Sequence, residues 1–169
     1  MKLHHLSLLV LAAACSTAAM AAGFDGMSCD TDMVKALKGH HLPNGPGEAT
    51  DATRKKLGLK DLGGDELDWG GQAWWKVCGY VFTALIDAND VVRDALKVPD
   101  EPGVSVAFAG VCKGGPKDKE VVAVVEDKAG AADLPAKAAW MIDDAKKRFV
   151  PVPVAGMLCP RGDGLVDSW

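Results

Sequence analysis

The five cysteines are the residues whose type and spacing could do chemistry in this chain. Cys29, Cys78, Cys112 and Cys159 lie tens of residues apart, with no C-x-x-C among them. Structural zinc sites bring their ligands in close pairs, and dithiol redox catalysts use C-x-x-C, so both chemistries fit the spacing poorly. An even set of isolated cysteines in an exported chain reads instead as two disulfides. Three pairings are possible, and the one that staples neighbouring segments is Cys29–Cys78 with Cys112–Cys159.

The other reactive groups are sparse. Asp65, Glu66 and Asp68 precede Trp69, with Trp74 and Trp75 close behind. Paired carboxylates flanked by aromatics can bind or cleave sugars when a cleft holds them at a defined separation. A charged turn leading into a strand explains the same residues. His40-His41, with Glu48 and Asp51 nearby, invites a metal reading, but adjacent histidines in a Pro/Gly-rich loop rarely share one ion. The serines lack the G-x-S-x-G context, and neither Gly63-Gly64 nor Gly114-Gly115 has the spacing of a phosphate loop. These residues therefore predict no catalytic set, no metal and no cofactor, and the chain reads as non-enzymatic.

Location comes from residues 1–21. Lys2, the apolar run Leu6–Ala14 and the small residues of Ala19-Met20-Ala21 have the layout of a secretory signal. The apolar run is too short to span a bilayer, so no transmembrane helix is expected. Cleavage after Ala21 would leave residues 22–169 as one small exported domain, periplasmic or extracellular. The alternative is cleavage before Cys15 and a lipid anchor there, but Leu11 lies one position too early for that signal. The net charge is −4, which argues against a nucleic-acid partner and mildly favours solubility or a basic protein partner. Oligomeric state is not legible.

These groups have to be positioned by local elements. Thr31–Gly39 predicts a short helix capped by Thr31 or Asp32, and Thr50–Leu57 a second, stopped by Gly58. Leu59–Gly64 and Gly70-Gly71 read as turns. Gln72–Ile86 is the most apolar stretch and reads as a buried strand, which would send Trp74 and Trp75 to opposite faces. Asn89–Val98 reads as a helix. Gly103–Cys112 and Glu120–Glu126 predict a hairpin, followed by strands at Ala138–Asp143 and Arg148–Val154, the last held to an edge by its prolines. The tail from Arg161 reads as loosely held. The fold class is α+β: short N-terminal helices, then an antiparallel sheet of about four to five strands, stapled by two disulfides.

Val77-Cys78-Gly79-Tyr80-Val81, followed by Asp87, Cys112 and Cys159, resembles the type VI secretion amidase-immunity proteins over Cys78 to Cys159. The chain departs from that family in two respects. It has no residue between the cysteine and Gly-Tyr, and it reads as strands where the family is helical. The resemblance implies a small periplasmic, disulfide-containing inhibitor that blocks the cleft of a peptidoglycan amidase, with Tyr80 at the contact. Trp69, Trp74 and Trp75 are the other candidate interface residues, because an exposed tryptophan makes a good anchor; the alternative for Trp74 and Trp75 is burial of both, one against a helix and one under the long loop. The sequence thus points to an exported binding protein. A glycan- or peptidoglycan-binding module or small hydrolase using Asp65, Glu66 and Asp68 is one alternative, and a structural envelope component another.

Overall fold

A computed structural model describes residues 23–43, 49–99, 104–162 and 164–166. The signal segment, both cleavage points at Cys15 and Ala21, and Glu48 lie outside the described residues. The order of elements is α1 (Met33–Leu37), α2 (Asp51–Leu57), β1 (Lys60–Leu67), β2 (Gly70–Val77), β3 (Tyr80–Asp87), β4 (Val92–Val98), β5 (Ser105–Gly110), β6 (Val121–Glu126), β7 (Asp133–Asp143), β8 (Arg148–Val152) and β9 (Leu158–Pro160). The class is the α+β expected, with two short helices and antiparallel sheets of four and five strands among the described residues.

Both helices start where a side chain caps the first turn. Asp32 accepts from the Lys35 N–H and Thr50 from the Thr53 N–H, each satisfying an amide that the first turn leaves free. Gly58 ends α2 at φ +56°, a left-handed cap that glycine adopts without strain.

The strands form two successive meanders, β1-β2-β3-β4 and β5-β6-β7-β8, with β9 paired to the start of β7. Trp74, Val81 and Val98 from the first sheet pack against Ala107, Val122 and Val124 from the second. Each sheet is also covered on its other face. Phe24, Leu37, Leu57 and other residues of the N-terminal segment and helices lie on Trp75, Val77 and Phe82. Met157 and Cys159 lie with Phe108, Val125 and Leu134 on the second sheet. Two-sided burial is why β3 and β6 read as nearly unbroken apolar runs.

Several expectations are overturned. Gln72–Ile86 is not one strand, because Cys78 and Gly79, at φ +53° and +83°, fold it into a two-residue hairpin. Asn89–Val98 is not a helix. Asn89 sits in the turn, and Val92–Val98 pairs with β3, an open edge that β-branched residues suit. Leu59–Gly64 and Gly70-Gly71 are largely strand, the turn between β1 and β2 falling at Asp68-Trp69. The tail is held as far as it is described. Arg161 pairs with Asp127 and donates to the Lys128 carbonyl, and Val166 N–H bonds the Ala107 carbonyl beside β5.

The turn from β3 to β4 is organised by Asp87. Its carboxylate accepts from the N–H groups of Asn89 and Val91 and from Arg93 Nε, with an ion pair to the same guanidinium. Burial pushes the Asp87 carboxyl up, but the Arg93 and backbone hydrogen bonds outweigh it and hold it below its usual 3.8. The unfolded chain therefore takes up this proton at a higher pH than the folded one. The stabilisation is complete above about pH 4 and is lost as pH falls through the lower folded value. Asp25, through its hydrogen bond from Thr53, shifts the same way, so the comparison must be with a variant. Asp87→Asn is expected to be less stable than wild type at pH 7, with the gap narrower at pH 3. Urea midpoints at the two pH values check this, and a constant gap would contradict it.

Candidate functional site

The structure separates the residues that the sequence groups together. Trp74 and Trp75 do face opposite sides of β2, but both are buried, at 2% and 0% exposure. Trp74 is in the core between the sheets, and Trp75 meets Phe24 edge-on at 5.3 Å. Burial of the Trp75 ring outweighs the cost of its indole N–H, which has no hydrogen-bond partner among the described residues. Neither tryptophan presents a surface that could anchor a partner, because both side chains are buried. Trp69 is half-buried and engaged within the chain. Its Nε1 donates to Asp144 at 3.0 Å, and Lys147 lies 5.2 Å from its ring centre. It clasps the turn of one sheet to the turn of the other.

The carboxylates do not converge. Asp65 and Glu66 are neighbours on a strand and so point to opposite faces of β1, while Asp68 belongs to the turn. Among the described residues no group of three or more His, Cys, Asp or Glu is arranged to hold a metal ion. A cleft of about 570 Å³ lies over the first sheet, with Gly64, Gly71, Ala73 and Trp75 in its lining and Asp61 and Asp90 among its carboxylates. The third carboxylate there, Asp87, is occupied by Arg93.

Tyr80 is different. It is 48% exposed, the first residue of β3, directly after the Cys78-Gly79 turn. The Cys29–Cys78 disulfide fixes that turn to the N-terminal segment. Lys97 on β4 places its ammonium 3.3 Å from the centre of the Tyr80 ring. The sheet register explains this: Phe82 pairs Lys97 and Val81 pairs Val98, which puts Tyr80 and Lys97 at one end of the β3–β4 ladder. Tyr80, Lys97, Asp32 and the disulfide line a small cleft of about 220 Å³. An aromatic ring held by a cation on one face and by a stapled turn at its base has little freedom to lose on binding.

The second disulfide, Cys112–Cys159, joins the segment after β5 to β9, so the pairing of neighbouring segments holds for both bonds. Disulfides accord with an oxidising, extracytoplasmic compartment. Among the described residues no helix is long and apolar enough to cross a membrane. The chain matches no protein-family model, no curated protein and no solved structure.

Proposed function

We propose that this protein is exported through cleavage after Ala21 and acts as a non-enzymatic binding protein, an inhibitor or immunity factor for a cell-wall hydrolase. The observation that carries this reading is Tyr80: a large exposed aromatic, braced by Lys97 and by the Cys29–Cys78 staple. Rigid exposed aromatics are the usual energetic anchors of protein interfaces. The resemblance to the amidase-immunity proteins points to the same residue.

The test is inhibition of purified secreted peptidoglycan amidases by the full-length protein after export. Wild type is expected to inhibit, and Tyr80→Ala to weaken inhibition by about tenfold or more while leaving the fold intact. If wild type inhibits none of them and instead sediments with peptidoglycan, the glycan-binding alternative replaces this one.

A further inference from the structure

The two open sides of the sandwich are unlike. On one side β4 and β8 are tied together, with Asp94 Oδ2 accepting from the Phe149 N–H at 2.8 Å. On the other side β1 has, among the described residues, a single neighbour, β2, and none of its eight residues is buried. Across from β1 runs the segment 164–166, which pairs with β5. Between the two lies a groove of about 330 Å³, with Leu62 and Asp65 on one wall, Leu165 and Val166 on the other, and Trp74 and Ala109 between them.

An edge strand points alternate N–H and C=O groups away from its sheet, which makes it a template for another strand. The side chains of β1 decide which strand. Asp61, Asp65, Glu66 and Asp68 fall within this strand and its turn, against one lysine, Lys60. Among the described residues Asp65, Glu66 and Asp68 form no ion pair. A second copy of β1 laid along the first would set like charges opposite one another, so the edge disfavours self-pairing. A strand carrying lysine or arginine would meet Asp65 at the groove and Glu66 on the other face. The ladder shifts register between Asp61 and Gly64, so the regular stretch for pairing is Gly64–Leu67.

We infer that β1 and the groove beside it form a strand-addition site for an extended basic segment of a partner protein. This deepens the proposed binding function and rests on it. Main-chain hydrogen bonds to β1 would supply affinity, and the carboxylates would select the basic sequence.

The probe is a fluorescent peptide of alternating lysine and valine, titrated into the full-length protein and followed by anisotropy and by amide hydrogen exchange. The peptide is expected to bind and to slow exchange of β1 amides. Asp65→Lys combined with Glu66→Lys, both exposed positions, should weaken binding by about tenfold, as should N-methylation of alternate peptide amides. No binding, equal binding by the N-methylated peptide, or binding without protection of β1 would each overturn the assignment. The two proposals also fail separately. Peptide binding without amidase inhibition keeps the edge and removes the hydrolase partner. Inhibition untouched by the Asp65→Lys/Glu66→Lys variant keeps the inhibitor and removes the edge.

Discussion

Replacing both members of the second disulfide, Cys112→Ala with Cys159→Ala, is expected to cost more stability than replacing both members of the first. The sequence separations are 47 and 49 residues, so the loop-closure contribution is nearly equal, about 4 kcal/mol for each bond. What separates them is packing. Cys112 and Cys159 are 5% and 0% exposed, inside a core with Phe108, Leu134 and Met157, whereas Cys29 is exposed and Cys78 half-buried. Losing two buried sulfurs also opens a void, which adds about 1–2 kcal/mol at the second site. Urea titrations of the two double variants under non-reducing conditions measure the difference. Equal losses, or a larger loss at Cys29–Cys78, would show that burial of the bond is not what sets its contribution.

How far these features were legible depends on whether their cause was local. Thr50, read as the first helical residue of α2, is its N-cap, while the Gly58 stop acts within one turn of chain and could be read directly. So could β5 and β6, where alternation and a valine run reflect faces buried by the rest of the molecule. β1, with the sequence Lys60-Asp61-Leu62-Gly63-Gly64-Asp65-Glu66-Leu67, has little intrinsic strand preference and is a strand because β2 lies beside it. The helix expected at Asn89–Val98 failed for the same reason. Val92, Ala95 and Leu96 do share a helical face, but pairing with β3 satisfies the backbone and buries Val92, Asp94 and Val98 as well. The candidate site was legible only in part. Alternation correctly set Trp74 and Trp75 on opposite faces, but nothing in the sequence near them says that helices cover one face and a second sheet the other. Cys78-Gly79 carried a readable turn signal that the surrounding apolar run masked, and Tyr80 owes its exposure to that turn. The open edge of β1 depends on strand order, which no local pattern encodes.

Asp94→Ala is expected to lose about 2–4 kcal/mol, far more than any exposed carboxylate of β1. Asp94 is buried and holds three elements at once. Oδ1 pairs with Lys38 at the end of α1 at 2.6 Å and accepts from the Ala95 N–H at 3.0 Å, while Oδ2 accepts from the Phe149 N–H of β8 at 2.8 Å. Lys38 is half exposed, so once unpaired it returns to water at little cost, and the ion pair itself contributes about 1 kcal/mol or less. The Phe149 N–H is different, because it is half-buried between the sheet edges and Asp94 is the acceptor that meets it, and an amide that loses its acceptor there costs about 1–3 kcal/mol. Lys38→Ala should therefore be mild and Asp94→Ala severe. Asp94→Asn, which keeps an acceptor for Phe149 but gives up the charge, should fall between them. Hydrogen exchange supplies the independent reading, since in Asp94→Ala the Phe149 amide should exchange faster while amides of β2 and β6 follow only the global loss. If Lys38→Ala proves as costly as Asp94→Ala, the carboxylate acts through its charge on α1 rather than as the tie between the sheets. The closed side of the sandwich would then need another explanation.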